Sequence, residues 1–158
     1  MKRRPVSPVA VTLSSPEAAE RMGAALAALL RPGDAVLLYG PLGAGKTTLS
    51  RGLIRALTSP EQEVPSPTFT LAQAYDGPEF PLTHFDLYRL SSPDEAEEVG
   101  LWEALDEGAI LVEWPERLGD ALPPDRLAVE LAFAGDDRSA RLTPHGSWSS
   151  RDLDRLAS

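Results

Sequence analysis

The sequence predicts an α/β domain with three layers, in which helices cover a mostly parallel central sheet that has antiparallel edge strands. Strand and helix patterns alternate in the first part of the chain, and pairs of strands follow. Two apolar segments, "AVLLY" at 35–39 and "AILV" at 109–112, are typical of strands buried on both faces of a parallel sheet. At 158 residues, we expect one compact domain over residues 1–158.

The first elements are a strand, a capped helix, the apolar strand "AVLLY" and a second helix. "VAVTL" at 9–13 is the opening strand. The first helix begins with Ser15 as its N-cap, followed by Pro16 and Glu17, a strong start signal. "RPGD" ends this helix and turns the chain into the apolar strand. A second helix is predicted over 47–57, after a glycine-rich turn.

The second half of the chain predicts further strands, one helix and a hairpin. "FTLAQAY" and "LTHFDLY" are expected to be strands joined by the turn "DGPEF". "SSPDEAEEVGLWEAL" predicts one helix with the same Ser-Pro-acid start, and "AILVEW" predicts a buried strand. "RLAVELAF" and "SARLTP", separated by "AGDD", predict a hairpin, and "SSRDLDRLAS" predicts a weak terminal helix.

Composition excludes several classes of function. Lys plus Arg is 15 and Asp plus Glu is 24, so the formal charge is −9, which is unsuited to binding nucleic acid directly. The chain has no cysteine, which excludes disulfides, thiolate catalysis and cysteine-based metal sites and agrees with a reducing compartment. Neither a signal-peptide core nor a membrane-spanning segment is present, so we expect a soluble, cytoplasmic protein.

A phosphate-binding motif is the strongest functional signal. "GPLGAGKT" at 40–47 matches G-x-x-x-x-G-K-S/T at every fixed position, and it follows an apolar strand and opens a helix. Its glycines let successive backbone N–H groups face one anion, and the helix N-terminus adds donors and a positive dipole end. Lys46 is expected to reach the β- and γ-phosphates, and the Thr47 hydroxyl to bind Mg²⁺. This predicts a P-loop NTPase-like domain, with ATP and GTP both open.

Two acids end predicted strands next to this motif. Glu113 closes "AILVE" and Asp86 closes "LTHFD". In open α/β sheets such residues lie at the edge that carries the phosphate loop, and phosphoryl transfer needs carboxylates there. We assign Glu113 to Mg²⁺, whereas the pattern leaves Asp86 equally compatible with a turn or helix cap. His84 is interpreted as a core histidine and Trp114 as a packing residue.

The proline-rich loop "VPSPTFT" at 64–70 offers one more functional element. A loop that carries Thr68 after Ser66 and Pro67 has the composition of segments that close on a γ-phosphate. The residues alone favour a purely structural loop.

Five segments, taken together, point to a known family. "GPLGAGKTTLSRG", "SPTFTL", "HFDLYRL", "EEVGLWEAL" and "LVEW" occur in the order seen in the bacterial TsaE (YjeE) family. The chain resembles these small ATPases, which are required for threonylcarbamoyladenosine (t6A) modification of tRNA. The resemblance covers about residues 14–114, with a looser fit in the final hairpin. It implies ATP as the nucleotide. Pro41, where an acid is common, departs from the family at a variable position.

The resemblance also implies roles for individual residues. Asp86 matches the family's essential aspartate, which we expect to orient water for attack on the γ-phosphate, with Lys46 as the second catalytic residue. Thr47 and Glu113 match the Mg²⁺ ligands. The nucleotide-binding positions implied by the alignment are Ser15, Gly43, Ala44, Gly45, Lys46, Thr47 and Thr48, with Asp137 a further position near the nucleotide. Ser66, Pro67 and Thr68 match a nucleotide-responsive loop, and Trp114 lies beside the site.

The resemblance further implies partners. In the family the ATPase acts with TsaB and TsaD, and TsaD transfers the threonylcarbamoyl group onto tRNA. We therefore expect TsaB- and TsaD-like partners, tRNA only through them, no membrane, and slow hydrolysis by the isolated chain. Two alternatives stay open: a small-molecule kinase with an acceptor site and a lid, and a nucleotide-sensing module in which Asp86 is structural.

Overall fold

The computed structural model describes residues 8–65 and 71–157, which form a seven-stranded mixed sheet with helices on both faces. In chain order the strands and α-helices are β1 Val9–Leu13, α1 Pro16–Leu29, β2 Ala35–Tyr39, α2 Lys46–Leu57, β3 Ala72–Asp76, β4 Pro81–Asp86, α3 Asp94–Glu98, α4 Leu101–Glu107, β5 Ala109–Glu113, β6 Arg126–Ala134 and β7 Asp137–Pro144. Three 3₁₀ helices span Pro115–Leu118, Gly146–Ser150 and Leu153–Ala157.

The strand order is β1-β7-β6-β2-β5-β4-β3. The four central strands β6, β2, β5 and β4 are parallel, whereas β1, β7 and β3 pair antiparallel with their neighbours. The predicted α/β class and the parallel core around β2 are confirmed. The antiparallel strands lie at both edges of the sheet, β1 and β7 at one edge and β3 at the other. The predicted hairpin of β6 and β7 is joined to the parallel core because β6 also pairs with β2. Both faces of β2 and β5 are covered, which explains why β2 and the first four residues of β5 are apolar.

Helices pack on both faces of the sheet around two hydrophobic cores. One core lies between the sheet, α1, α2 and the two C-terminal 3₁₀ helices, and it contains Leu26, Leu53 and Trp148. The other lies under α3, α4 and the 3₁₀ helix Pro115–Leu118. At Gly52 a Cβ atom would lie 2.1 Å from the carbonyl oxygen of Glu20, so α1 and α2 are in backbone contact there. This close packing fixes the position of α1 against the middle of α2.

The prediction of a single helix over "SSPDEAEEVGLWEAL" is wrong, because two short helices, α3 and α4, occupy this segment. Gly100 separates them with a φ of +82°, a left-handed conformation that ends α3. Ala96 and Leu101 are both completely buried in the same core. Five positions apart, they would face different directions on one straight helix, so the break lets both reach the core.

The structure confirms some of the remaining predictions and changes the bounds or type of others. Ser15 is the N-cap of α1, as predicted, and its hydroxyl accepts the N–H of Ala18 at 3.1 Å. The second helix begins at Lys46, one residue earlier than expected. The weak terminal helix is replaced by 3₁₀ turns. Residues 66–70, which include Ser66, Pro67 and Thr68, lie outside the described residues. Within 8–65 and 71–157, no helix is long and apolar enough to cross a membrane.

Candidate functional site

The carboxyl ends of three neighbouring parallel strands meet at one edge of the sheet. β2 ends at Tyr39 and leads through the glycine-rich loop 40–45 into α2. β4 ends at Asp86 and β5 at Glu113, and the strand register pairs these two residues directly. Both acids are buried, with 6% and 4% of their surface exposed. Neighbouring strands are about 4.8 Å apart, so the two backbone positions lie side by side beneath the loop.

The glycine-rich loop has the backbone conformation that its glycines permit. Gly43 and Gly45 have φ angles of +82° and +107°, which L side chains rarely adopt. Gly45 is the N-cap of α2, and its carbonyl accepts the N–H of Leu49 at 2.9 Å. No described side chain caps this helix end, so its first N–H groups can bind an anion.

A cavity of about 260 Å³ lies over the loop and the two strand ends. Its walls are formed by Leu42, Gly43, Gly45, Lys46, Thr47, Thr48, Asp86, Glu113 and Trp114. Most of the predicted site residues therefore surround one space. Ala44 does not line it, because its side chain is buried in the core and its N–H donates to the Pro41 carbonyl at 3.2 Å.

The ammonium group of Lys46 is held at the wall of this cavity. Its Nζ donates to the Gly40 carbonyl oxygen at 2.7 Å and lies 3.5 Å from the centre of the Trp114 ring. Burial lowers the pKa of Lys46 below its ordinary value, while Glu113, Glu116 and Asp86 each act in the opposite direction. Lys46 is thus a buried cation at the cavity wall, where little water competes with an anion for its charge.

Trp114 occupies this place through an unusual backbone conformation. Its φ of +60° is left-handed, and Pro115 follows as the first residue of a 3₁₀ helix. Such a conformation costs of order 1–3 kcal/mol in a residue other than glycine and is frequent at functional sites. The Tyr88 ring packs against Trp114 with 5.0 Å between ring centres. The sequence pattern indicated packing for Trp114, whereas its ring lies on the cavity wall.

His84 contacts Glu113, which the sequence analysis did not predict. Its Nε2 lies 2.7 Å from Oε2 of Glu113, and both side chains are buried. Within the described chain the other ring nitrogen, Nδ1, is buried without a hydrogen-bond partner. The available signal was the spacing, because His84 and Asp86 are two residues apart and share one face of β4. Asp86 Oδ1 accepts the N–H of Tyr88 at 3.0 Å.

A second cavity of about 190 Å³ adjoins the first. It is lined by Leu13, Ser14, Ser15, Pro16, Ala19, Gly43, Gly45, Thr48, Asp136 and Arg138. Ser15 therefore lies near the loop, but its hydroxyl already caps α1. Arg138 Nε donates to the carbonyl oxygen of Gly43 at 3.2 Å. Asp137 does not line this cavity, whereas its two neighbours in the chain do.

Comparison with known proteins identifies the family. The model of the family described as "Threonylcarbamoyl adenosine biosynthesis protein TsaE" matches residues 13–141. A relative from Rickettsia bellii (strain RML369-C), described as "tRNA threonylcarbamoyladenosine biosynthesis protein TsaE", is 42% identical over 126 residues, which cover 80% of this chain and 88% of the relative. The chain belongs to the TsaE family.

Other TsaE proteins and one solved structure extend this finding. The relative from Streptomyces coelicolor is 43% identical over 147 residues, which cover 86% of this chain and 97% of the relative. The relative from Bacillus subtilis (strain 168) is 40% identical, with 78% and 77% covered. The structure described as "Crystal structure of Bacillus subtilus YdiB" matches with a TM-score of 0.77 and 30% identity over 98% of this chain and 97% of that one. The mixed sheet is therefore a fold shared with a solved structure.

The donor set in this TsaE-family chain fits Mg²⁺. The Thr47 hydroxyl and the Glu113 and Asp86 carboxylates supply oxygen atoms, which Mg²⁺ prefers. In the described part of the chain, no group of three or more His, Cys, Asp or Glu side chains is arranged to hold a metal ion by itself. Mg²⁺ takes one or two protein carboxylates and completes its shell with phosphates and water.

Proposed function

We propose that this TsaE-family chain is a Mg²⁺-dependent P-loop ATPase that supports a threonylcarbamoyl transferase complex of TsaB- and TsaD-like proteins in the t6A modification of tRNA. One observation carries the ATPase part of the proposal. Lys46, Thr47, Asp86 and Glu113 surround one cavity at the N-terminus of α2, although they come from three different parts of the chain.

The triphosphate is proposed to bind in the 260 Å³ cavity. The backbone N–H groups of Gly43 and of residues 45–48 bind its oxygens, and the uncapped end of α2 adds its positive dipole. Lys46 exchanges the Gly40 carbonyl for phosphate oxygens, which a flexible ammonium does by side-chain rotation. The nucleoside extends toward the second cavity, between Ser15 and Arg138.

Hydrolysis is proposed to use the buried acids at the strand ends. Thr47 and Glu113 hold Mg²⁺, which when bound neutralises charge on the β- and γ-phosphates. Asp86 accepts a hydrogen bond from the attacking water and orients it toward the γ-phosphate. Oδ1 of Asp86 also accepts the Tyr88 N–H at 3.0 Å, a contact that helps to orient the carboxylate. Lys46 stabilises the charge that develops on the transferred group.

The surface charge supports proteins rather than tRNA as the direct partners. A formal charge of −9 repels the phosphate backbone, so tRNA is reached only through a partner. The TsaE relatives are described by their role in tRNA threonylcarbamoyladenosine biosynthesis. We therefore propose slow ATP hydrolysis by the chain alone and faster hydrolysis in the complex.

Phosphate release from ATP tests this proposal, measured with and without TsaB- and TsaD-like proteins from the same organism. We expect stimulation by the partners and loss of ATP binding in Lys46→Met. Arg51→Met is the matched control, since Arg51 lies on the same helix but forms a surface pair with Glu20. Rates that the partners leave unchanged would contradict the proposed role. Transfer of the γ-phosphate to a metabolite would instead indicate a kinase, and binding without hydrolysis a sensing module.

A further inference from the structure

We propose that His84 is a positioning residue that orients Glu113 as a Mg²⁺ ligand through a hydrogen bond from Nε2–H to Oε2. This inference rests on the proposed function, because it assigns Glu113 to Mg²⁺. His84 does not line the candidate cavity, so in this proposal it acts through Glu113 and not on the nucleotide.

The register of the sheet explains how the two side chains meet. Asp86 pairs with Glu113. His84 pairs with Leu111, two residues further from the cavity along each strand. Since residues two apart on a strand share a face, all four side chains lie on the face covered by α2. His84 reaches diagonally across to Glu113 and closes a 2.7 Å hydrogen bond. His84 is 1% exposed, so water does not compete for this bond.

The bond assigns the ring tautomer. An ionised carboxylate only accepts hydrogen bonds, so Nε2 of His84 must carry the proton that Glu113 accepts. A proton on Nδ1 as well would bury a second N–H group, for which the described residues provide no acceptor. The geometry therefore favours a ring with its proton on Nε2 alone, a fixed donor that points at Glu113.

Glu113 and Lys46 each have a hydrogen-bond partner of their own. Both side chains lie on the wall of the same cavity, and their opposite charges attract each other. Lys46 nevertheless donates to the Gly40 carbonyl, and Glu113 accepts from His84. Oε1 of Glu113 takes no part in the bond to His84 and is left for the metal ion. Residues that orient a metal ligand in this way typically change metal affinity by about 10–100-fold.

The test compares His84→Phe, which keeps a planar ring but has no donor, with His84→Gln, whose Nε2 restores a donor at a similar reach. His145→Phe is the matched control, because His145 lies outside both cavities. Titration calorimetry with a non-hydrolysable ATP analogue, in Mg²⁺ and in EDTA, gives the Mg²⁺-dependent gain in affinity. We expect His84→Phe to reduce this gain by about 10-fold or more with affinity in EDTA unchanged, and His84→Gln to retain most of it.

Glu113→Ala and the double variant His84→Phe/Glu113→Ala complete the experiment. If His84 acts through Glu113, the double variant loses no more of the gain than Glu113→Ala alone. A wild-type chain with no Mg²⁺-dependent gain would contradict the proposed function. A gain that Glu113→Ala abolishes and His84→Phe leaves intact would overturn only the role of His84.

A spectroscopic measurement on the wild-type chain tests the same hydrogen bond without any substitution. Nitrogen-15 chemical shifts of the His84 ring in the wild-type chain distinguish the tautomers. We expect a protonated Nε2 and a bare Nδ1. A proton on Nδ1 alone would overturn the proposal, because Nε2 would then have nothing to donate to Glu113.

Discussion

The ammonium group of Lys46 lies 3.5 Å from the centre of the Trp114 ring and donates to the Gly40 carbonyl at 2.7 Å. A cation over an aromatic face is stabilised by about 1–2 kcal/mol when the pair is desolvated. Trp114 reaches this position from a left-handed backbone conformation, directly after the buried acid Glu113. Lys46 and the segment that follows β5 are therefore in direct contact.

Trp114 is expected to report nucleotide binding. Because its ring contacts the ammonium group that we assign to the triphosphate, its emission should change when Mg²⁺ and an ATP analogue bind. The change should be lost in Trp114→Phe and retained in Trp102→Phe, the matched control. Fluorescence titration measures it, and a full signal from Trp114→Phe would place the nucleotide away from this ring.

Asp86→Asn should separate binding from hydrolysis. The asparagine keeps an Oδ1 atom for the Tyr88 N–H, so the local backbone contact is retained. It lacks the carboxylate that we assign to the attacking water, and loss of such a group typically costs about 100-fold or more in rate. We expect phosphate release to fall by that amount while analogue affinity stays within a few-fold. Hydrolysis at the wild-type rate would show that Asp86 has a structural role only.

Nucleotide affinity should fall at alkaline pH. Burial lowers the pKa of Lys46 below 10.5, and the proposal requires the protonated ammonium for phosphate binding. As pH rises through the pKa of the free chain, the cation is lost and the analogue binds more weakly, starting below pH 10.5. Calorimetry in EDTA measures this. Lys46→Arg should keep its charge over the same range, because a guanidinium group in a protein stays protonated. An equal fall in that variant would assign the effect to another group.

Arg151→Met should strongly destabilise the fold without involving the site. Arg151 forms a bidentate pair with Asp34, at 2.5 and 3.0 Å, and both side chains are buried. Removing one partner leaves a buried, uncompensated charge, which typically costs about 3–5 kcal/mol. Urea denaturation measures the free energy of unfolding. Arg51→Met removes a partly exposed pair and should cost at most about 1 kcal/mol. Equal losses in the two variants would show that burial does not determine the cost of breaking these pairs.

Local patterns in the sequence determined much of the fold and of the candidate site. The apolar segments of β2 and β5 predicted a parallel core, since only strands covered on both faces are apolar throughout. Ser15 predicted the start of α1 through its capping hydroxyl. The sequence also predicted the phosphate-binding motif at 40–47 and the strand-end acids Asp86 and Glu113, because each depends on residue type and spacing along a short stretch.

Tertiary structure decided what depends on contacts between distant segments. His84 lies beside Glu113 only because β4 and β5 are neighbours in a particular register. Arg138 reaches Gly43 because β6 pairs with β2 and carries the hairpin over the loop. The break at Gly100 lets α3 and α4 both pack on a core that several elements form together. Periodicity and capping record the environment of one segment, whereas strand order, register and shared cores depend on which segments pack together, and a single sequence does not record this locally.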